Sequence, residues 1–184
     1  MIFPIPYIPS TSYKGGNGFG ASRERVRTGL RHAANDLAAP PGTPVLAMDT
    51  GTVIGGPYQF FRQTFALEIR HPQFIARYCE IARNTEVTVG DSVMEGQVIA
   101  YVGDQPGDDM LHIEFFRGNR TGDLSFSPGT HPPFDRRDDV FDGTRFLDAT
   151  RDTARHFEGV DNWRYVTDAD GRIFLDPNID LRDI

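Results

Sequence analysis

The stretch Asp109–Phe116, DMLHIEFF, sets one histidine inside an apolar, strand-like run and follows it two residues later with an acid. A lone histidine in such a pattern is commonly a core or interface residue, and it becomes a metal ligand only when other ligands reach it from elsewhere in the chain. Strand character recurs upstream. FALEIRH sets Phe65, Leu67 and Ile69 against Ala66, Glu68 and Arg70, the alternation of a half-buried strand. FIARYCEIA is β-rich, and TEVTVGDSVMEGQVIAYVGD carries turns at Gly90-Asp91 and Glu95-Gly96 between β-branched runs. The PPGTP turn, where proline presets φ and glycine permits the left-handed region, leads into Val45 and Ala47, then a DTG turn and Val53. Short strands at close spacing with glycine-centred turns predict a mainly β, antiparallel domain from about Phe19 to Arg117.

The flanks read differently. The first eighteen residues are rich in Pro, Gly and Ser and predict an extended arm. After Arg117 the polar stretch from Asn119 to Val140 lacks periodicity, and a loop of that length inside a compact domain is often a lid or binding loop. TRFLDATRDTARHFEG is the best helix candidate, with Phe146, Leu147, Ala154 and Phe157 roughly on one face. The tail predicts a hairpin turning at Asp170-Gly171.

With 184 residues the chain is long enough for one well-buried domain, and its formal charge of −7 lacks the basic face that tracking nucleic-acid phosphates requires. Cys79 is the single cysteine, so no intrachain disulfide forms. No apolar run approaches the roughly 20 residues of a membrane helix, and the N-terminus lacks the positive region of a secretory signal. Synthesis in the cytoplasm is expected, with any delivery to periplasm or wall left to a phage or a specialised secretion system.

His32 stands four residues before Asp36, a spacing that a helical turn or a tight loop would close. Its setting carries more information. FGASRERVRTGLRHAANDLAAPPGTPVLAMDTGTVIGG holds, in order, an FG-x-R-like start, G-x-x-H-x-x-x-D, a G-T-P-V turn and A-x-x-x-G-x-V. VTVGDSVMEGQVIAYVG, LHIEF and DGTRFL follow. Together these resemble the LytM/lysostaphin-type zinc peptidases of family M23, over roughly Phe19 to Leu147 with 119–140 as an insertion. The resemblance divides the chain into an arm (1–18), a peptidase-like domain (19–147) and a C-terminal helix and hairpin extension (148–184). It implies that His32, Asp36 and His112 bind one Zn²⁺, that Glu114 supports the site, and that peptidoglycan peptides are the substrate.

The sequence departs from the family pattern where protons are handled. Met110 stands where the family carries a histidine two residues before the last ligand, and Glu80 replaces the histidine of its T-x-Y-x-H-L segment. Methionine neither donates a hydrogen bond nor exchanges a proton, whereas a carboxylate can act as a general base. Two functions follow. One is a zinc-dependent endopeptidase cleaving stem or cross-bridge peptides, with Glu80 as base and His131 of the insertion, otherwise a loop histidine in solvent, as the available donor. The other is a catalytically inactive zinc-binding module that binds the wall or regulates a partner hydrolase. His71 reads as a surface or packing residue, His156 as structural and Cys79 as a buried small residue, while Tyr58, Phe60 and Phe61 either line a groove or, by default, pack in the core.

Overall fold

The computed structural model describes residues 1–156 and 162–177. Seven strands form one antiparallel sheet in the order β1-β8-β5-β4-β3-β6, with β9 added to β8. The strands are β1 (Ala34–Ala38), β3 (Gly51–Gln59), β4 (Phe65–Arg70), β5 (Ile75–Ile81), β6 (Ser92–Val93), β8 (Met110–Phe116) and β9 (Val140–Phe141). A separate ribbon pairs β2 (Pro44–Leu46) with β7 (Val98–Tyr101), and β10 (Tyr165–Thr167) pairs with β11 (Ile173–Leu175) as the expected terminal hairpin. The mainly β, antiparallel reading is correct. Among the described residues no helix is long and apolar enough to cross a membrane.

The sheet has two unlike faces because successive side chains in a strand point to opposite sides. One face carries Leu37, Leu67, Ile69, Ala76, Tyr78, Leu111, Ile113 and Phe115, all buried in a single core with Val45, Ile99 and Ala100 of the ribbon. The register places the other set in line: Asp36 opposite His112, Ala34 opposite Glu114, Cys79 opposite His112 and Arg77 opposite Glu114. This polar face is the one that the core does not need, so it is available for a site.

Two sequence expectations require correction or extension. The predicted helix is shorter: α1 runs Thr144–Thr150, a 3-10 turn covers Arg151–Thr153, and Ala154 is already extended. Phe157, also assigned to that helix, lies outside the described residues. The N-terminal arm is integral to the core, with Phe3, Ile5 and Tyr7 almost fully buried and backbone bonds from Ile2 to Met48 and from Leu46 to Pro4. His71 lies on the core side, where Nδ1 meets the Thr50 carbonyl at 2.9 Å and Nε2 meets the Tyr78 hydroxyl at 3.0 Å. It is a packing residue, as read from the sequence.

Candidate metal centre and its groove

Asp36 and His112 project side by side from the paired strands β1 and β8, and His32 sits just ahead of β1. The His32–Asp36 spacing is met by extended chain, neither by a helical turn nor by a tight loop. The Ser22–Arg31 bridge and backbone bonds joining His32 to Gly20 and Ala21 hold His32 against the site. From there its Nε2 stands 3.1 Å from Asp36 Oδ1. His112 Nδ1 is 2.9 Å from the same oxygen and 3.3 Å from His32 Nε2. Donors around a tetrahedral ion with bonds of about 2.0–2.1 Å stand about 3.3 Å apart, so the three atoms lie close to the edges such an ion would impose.

The outer nitrogens fix the tautomers. His32 Nδ1 lies 3.1 Å from the Gly18 carbonyl and His112 Nε2 lies 3.0 Å from Glu114 Oε1, so each outer nitrogen donates and each inner one is left with a lone pair. With both rings neutral, three acceptors face one another and no protein proton lies between them. Two charge states satisfy that arrangement: a bound cation or a proton on a histidine. Without a metal the second holds. Burial works against the charge on His112, yet the Asp36 and Glu114 carboxylates raise it to about 9. Burial likewise opposes the Asp36 carboxylate, but hydrogen bonds from His112 and His32 hold it below the ordinary range. The donor set and its spacing fit zinc, with Asp36 Oδ1, His32 Nε2 and His112 Nδ1 as ligands.

Behind the ligands lies a buried charge cluster. Glu114 is wholly inaccessible; Arg77 bonds its Oε2, and Arg136 reaches Oε1 at 2.8–2.9 Å and Oε2 at 3.1 Å. Burial would raise the Glu114 carboxyl, but the two guanidiniums hold it well below its ordinary value. A second trio that could converge on a cation, Cys79, His112 and Glu114, shares His112 with the first. Its carboxylate is already saturated by arginine and its thiol is pushed up by burial, so it is not a separate site. Cys79 is the buried, unreactive residue expected.

Glu80 reaches the groove by a backbone device. Ala66 pairs with Cys79 and Phe65 with Ile81, so Glu80 is the extra residue of a β-bulge, with φ of 62°. Regular alternation would turn it toward the core beside Tyr78; the bulge puts it in the groove wall with Met110 and the three ligands. Its Oε2 accepts from Gln105, and no described residue donates to Oε1. Burial raises its carboxyl, opposed by His112 and the Gln105 bond.

The groove has a volume of about 1360 Å³ and is walled by the loop before His32, by β3 and by the insertion. Phe60 stands over the site, its ring 5.5 Å from that of His112. Tyr58, Phe60 and Phe61 line the groove, so of their two sequence readings the groove holds and the core default does not. His131 is also corrected. Its ring is exposed, stacks on Phe126 at 3.7 Å between centroids and bonds Thr130; it is not in the groove lining, so the loop does not deliver it to the ligands. The sequence reading gave no role to Arg77, Arg136 or Arg23. Arg23, the arginine of the FG-x-R-like start, bonds Asp36 Oδ2 at 3.3 Å and leaves Oδ1 for the ion. Its place in that motif was the available signal; for the other two there was none.

An antiparallel sheet carrying a His-Asp-His trio in an open groove is the arrangement of a metallopeptidase. The model of Peptidase family M23 matches residues 30–124, and the chain belongs to that family. A search of curated proteins returned no match. Among solved structures, the antimicrobial peptidase lysostaphin from Staphylococcus simulans is 19% identical with a TM-score of 0.58, covering 94% of this chain and 66% of its own. Its catalytic domain is 22% identical with a TM-score of 0.54, covering 74% of this chain and 92% of its own. CbpA from L. salivarius REN is 18% identical with a TM-score of 0.57, covering 82% and 95%. These likenesses are of fold. The chain spans 61% of the length of lysostaphin in its solution structure.

Proposed function

We propose that the protein is a zinc-dependent hydrolase of peptidoglycan stem or cross-bridge peptides, with Glu80 as its general base. The observation that carries this reading is the convergence of three lone pairs, from His32, Asp36 and His112, at the floor of a groove open to a peptide. Family membership and the lysostaphin-like fold support the peptidase chemistry and the wall substrate. Zinc held there would polarise the scissile carbonyl and acidify a water. The rest falls to side chains. Glu80 lines the same groove with one oxygen free, and a carboxylate made more basic by burial is suited to taking the water's proton and passing it to the leaving amine. Phe60 and Tyr58 wall the groove and limit water around the bond to be cut.

Met110 favours a second reading, a zinc-bound module that holds wall peptides or a partner hydrolase without turnover. It lies in the groove lining where the family pattern has a proton-handling histidine, and it can supply no hydrogen bond. Purified protein incubated with sacculi separates the two. Released muropeptides that vanish with Glu80→Gln, at unchanged zinc content, support the enzyme. An inactive parent that still binds sacculi supports the module, and cleavage undiminished in Glu80→Gln would remove Glu80 as base.

A further inference from the structure

The insertion 119–140 forms part of the metal centre. Its two limbs pair with each other through the Ser125–Arg136 bridge and the bonds Phe126 to Asp135 and Arg137 to Leu124. Each limb then sends one group to the buried cluster behind His112. Ser125 Oγ accepts from Arg77 at 2.7 Å, and Arg136 forks onto both oxygens of Glu114. Glu114 Oε1 thus has two donors: Arg136 at 2.8–2.9 Å and His112 Nε2 at 3.0 Å.

We propose that Arg136 is a positioning residue: by clamping Glu114 it fixes the ring of His112 so that Nδ1 faces the metal. The inference rests on the zinc reading above. A carboxylate carrying a single guanidinium can rotate about its Cγ–Cδ bond. One held by Arg77 at Oε2 and by a fork from Arg136 at both oxygens cannot, so its Oε1 stays aimed at Nε2. Held in that orientation, Oε1 accepts the hydrogen bond from His112 Nε2. A neutral ring with the Nε2–H tautomer is the form whose Nδ1 can ligate. Phe60 covers both guanidiniums, with Arg77 at 5.2 Å and Arg136 at 5.9 Å from its ring centre. Water is thereby kept from a cluster in which Arg77 is almost inaccessible and the Arg136 side chain only 19% exposed. The segment that reads as a polar excursion in sequence therefore reaches through one side chain to a metal ligand.

The test measures zinc affinity by chelator competition and the visible spectrum of the Co²⁺-substituted protein, in parent and variants checked for folding by circular dichroism. Arg136→Met should weaken zinc binding by about 10–100-fold and shift the Co²⁺ bands, because the ligand ring is no longer held. Arg136→Lys, which keeps the charge but not the fork, should fall between it and the parent. Arg27→Ala removes a different tie of the insertion, the 2.5 Å bond to Asp135, without touching Glu114, and should leave affinity and spectrum at parental values. Arg136→Met binding as the parent does would overturn the proposal, as would Arg27→Ala weakening binding equally, since loop seating alone would then explain the loss. If Arg136→Met fails to fold, the same comparison is made with Arg136→Gln. A parent that binds no zinc fails at the earlier step and refutes the zinc reading itself.

Discussion

If the trio holds zinc as proposed, a proton and the metal ion compete for the space between His32, Asp36 and His112. His112 is raised from 6.5 to about 9 in the metal-free protein, so its contribution is fully present below about pH 6.5 and is lost as pH rises through 9. Asp36 is depressed, so its contribution is present above its ordinary value of 3.8 and lost only as pH falls below it. Chelated protein should therefore lose about 3 kcal/mol between pH 6.5 and 9.5, from a shift worth about 1.4 kcal/mol per unit. Zinc-loaded protein should show no such slope, since its His112 is neutral throughout. Thermal melts across pH with and without chelator check this. Calorimetry in buffers of different ionisation heat should find about one proton released per zinc bound at pH 7. His112→Ala leaves two ligands and should abolish stoichiometric zinc by metal analysis; retained zinc would take His112 out of the site. Met110→His restores a donor beside the ligands and should raise muropeptide release.

At the scale of elements, the site depends on irregularities in otherwise plain strands. The bulge at Glu80 re-aims one carboxylate, and two register shifts in β3 carry Tyr58 and Phe60 over the ligands. Gly56 makes the second shift practicable: its φ is +95°, and an added Cβ would lie 2.2 Å from the Ala66 carbonyl. That atom belongs to the facing strand and cannot move without breaking the β3–β4 ladder. Gly56→Ala should cost about 2–5 kcal/mol, combining a left-handed φ with overpacking. Urea titration measures it, and a loss under 1 kcal/mol would mean the ladder yields more easily than the geometry implies.

Across the whole molecule, the N-terminal arm is tied to the segment that follows α1. Phe3 bonds Thr153 Oγ1 at 2.8 Å, Arg155 and His156 both bond the Pro6 carbonyl, and Trp163 packs on the core from its edge. Deleting residues 1–8 removes three fully buried side chains, at about 1.5–3 kcal/mol each. That sum approaches the entire stability of a domain this size, so the deletion should not fold. Ending the chain before Arg151 removes only peripheral ties; it should lower the melting temperature and leave zinc binding intact.

The sequence by itself determined the strands, since alternation in FALEIRH and glycine at the turns are local signals, and it singled out the His32, Asp36 and His112 trio as candidates, since His32 and Asp36 share one motif and His112 sits in another. Helix length was not legible. The pattern from Thr144 to Gly159 has helical spacing, but the chain at Arg155 and His156 is drawn into backbone bonds with Pro6, which local propensity cannot register. The arm likewise reads only as an extended Pro/Gly/Ser-rich flank, because the core that buries Phe3, Ile5 and Tyr7 is built from residues far along the chain, in the ribbon and in α1. Only the tertiary structure decided the orientation of Glu80, the exclusion of His131 and the reach of Arg136 to Glu114. Each of these depends on where a bulge, a loop limb or a ring stack sets one side chain against residues far away in the chain, and spacing along the sequence holds no record of that distance.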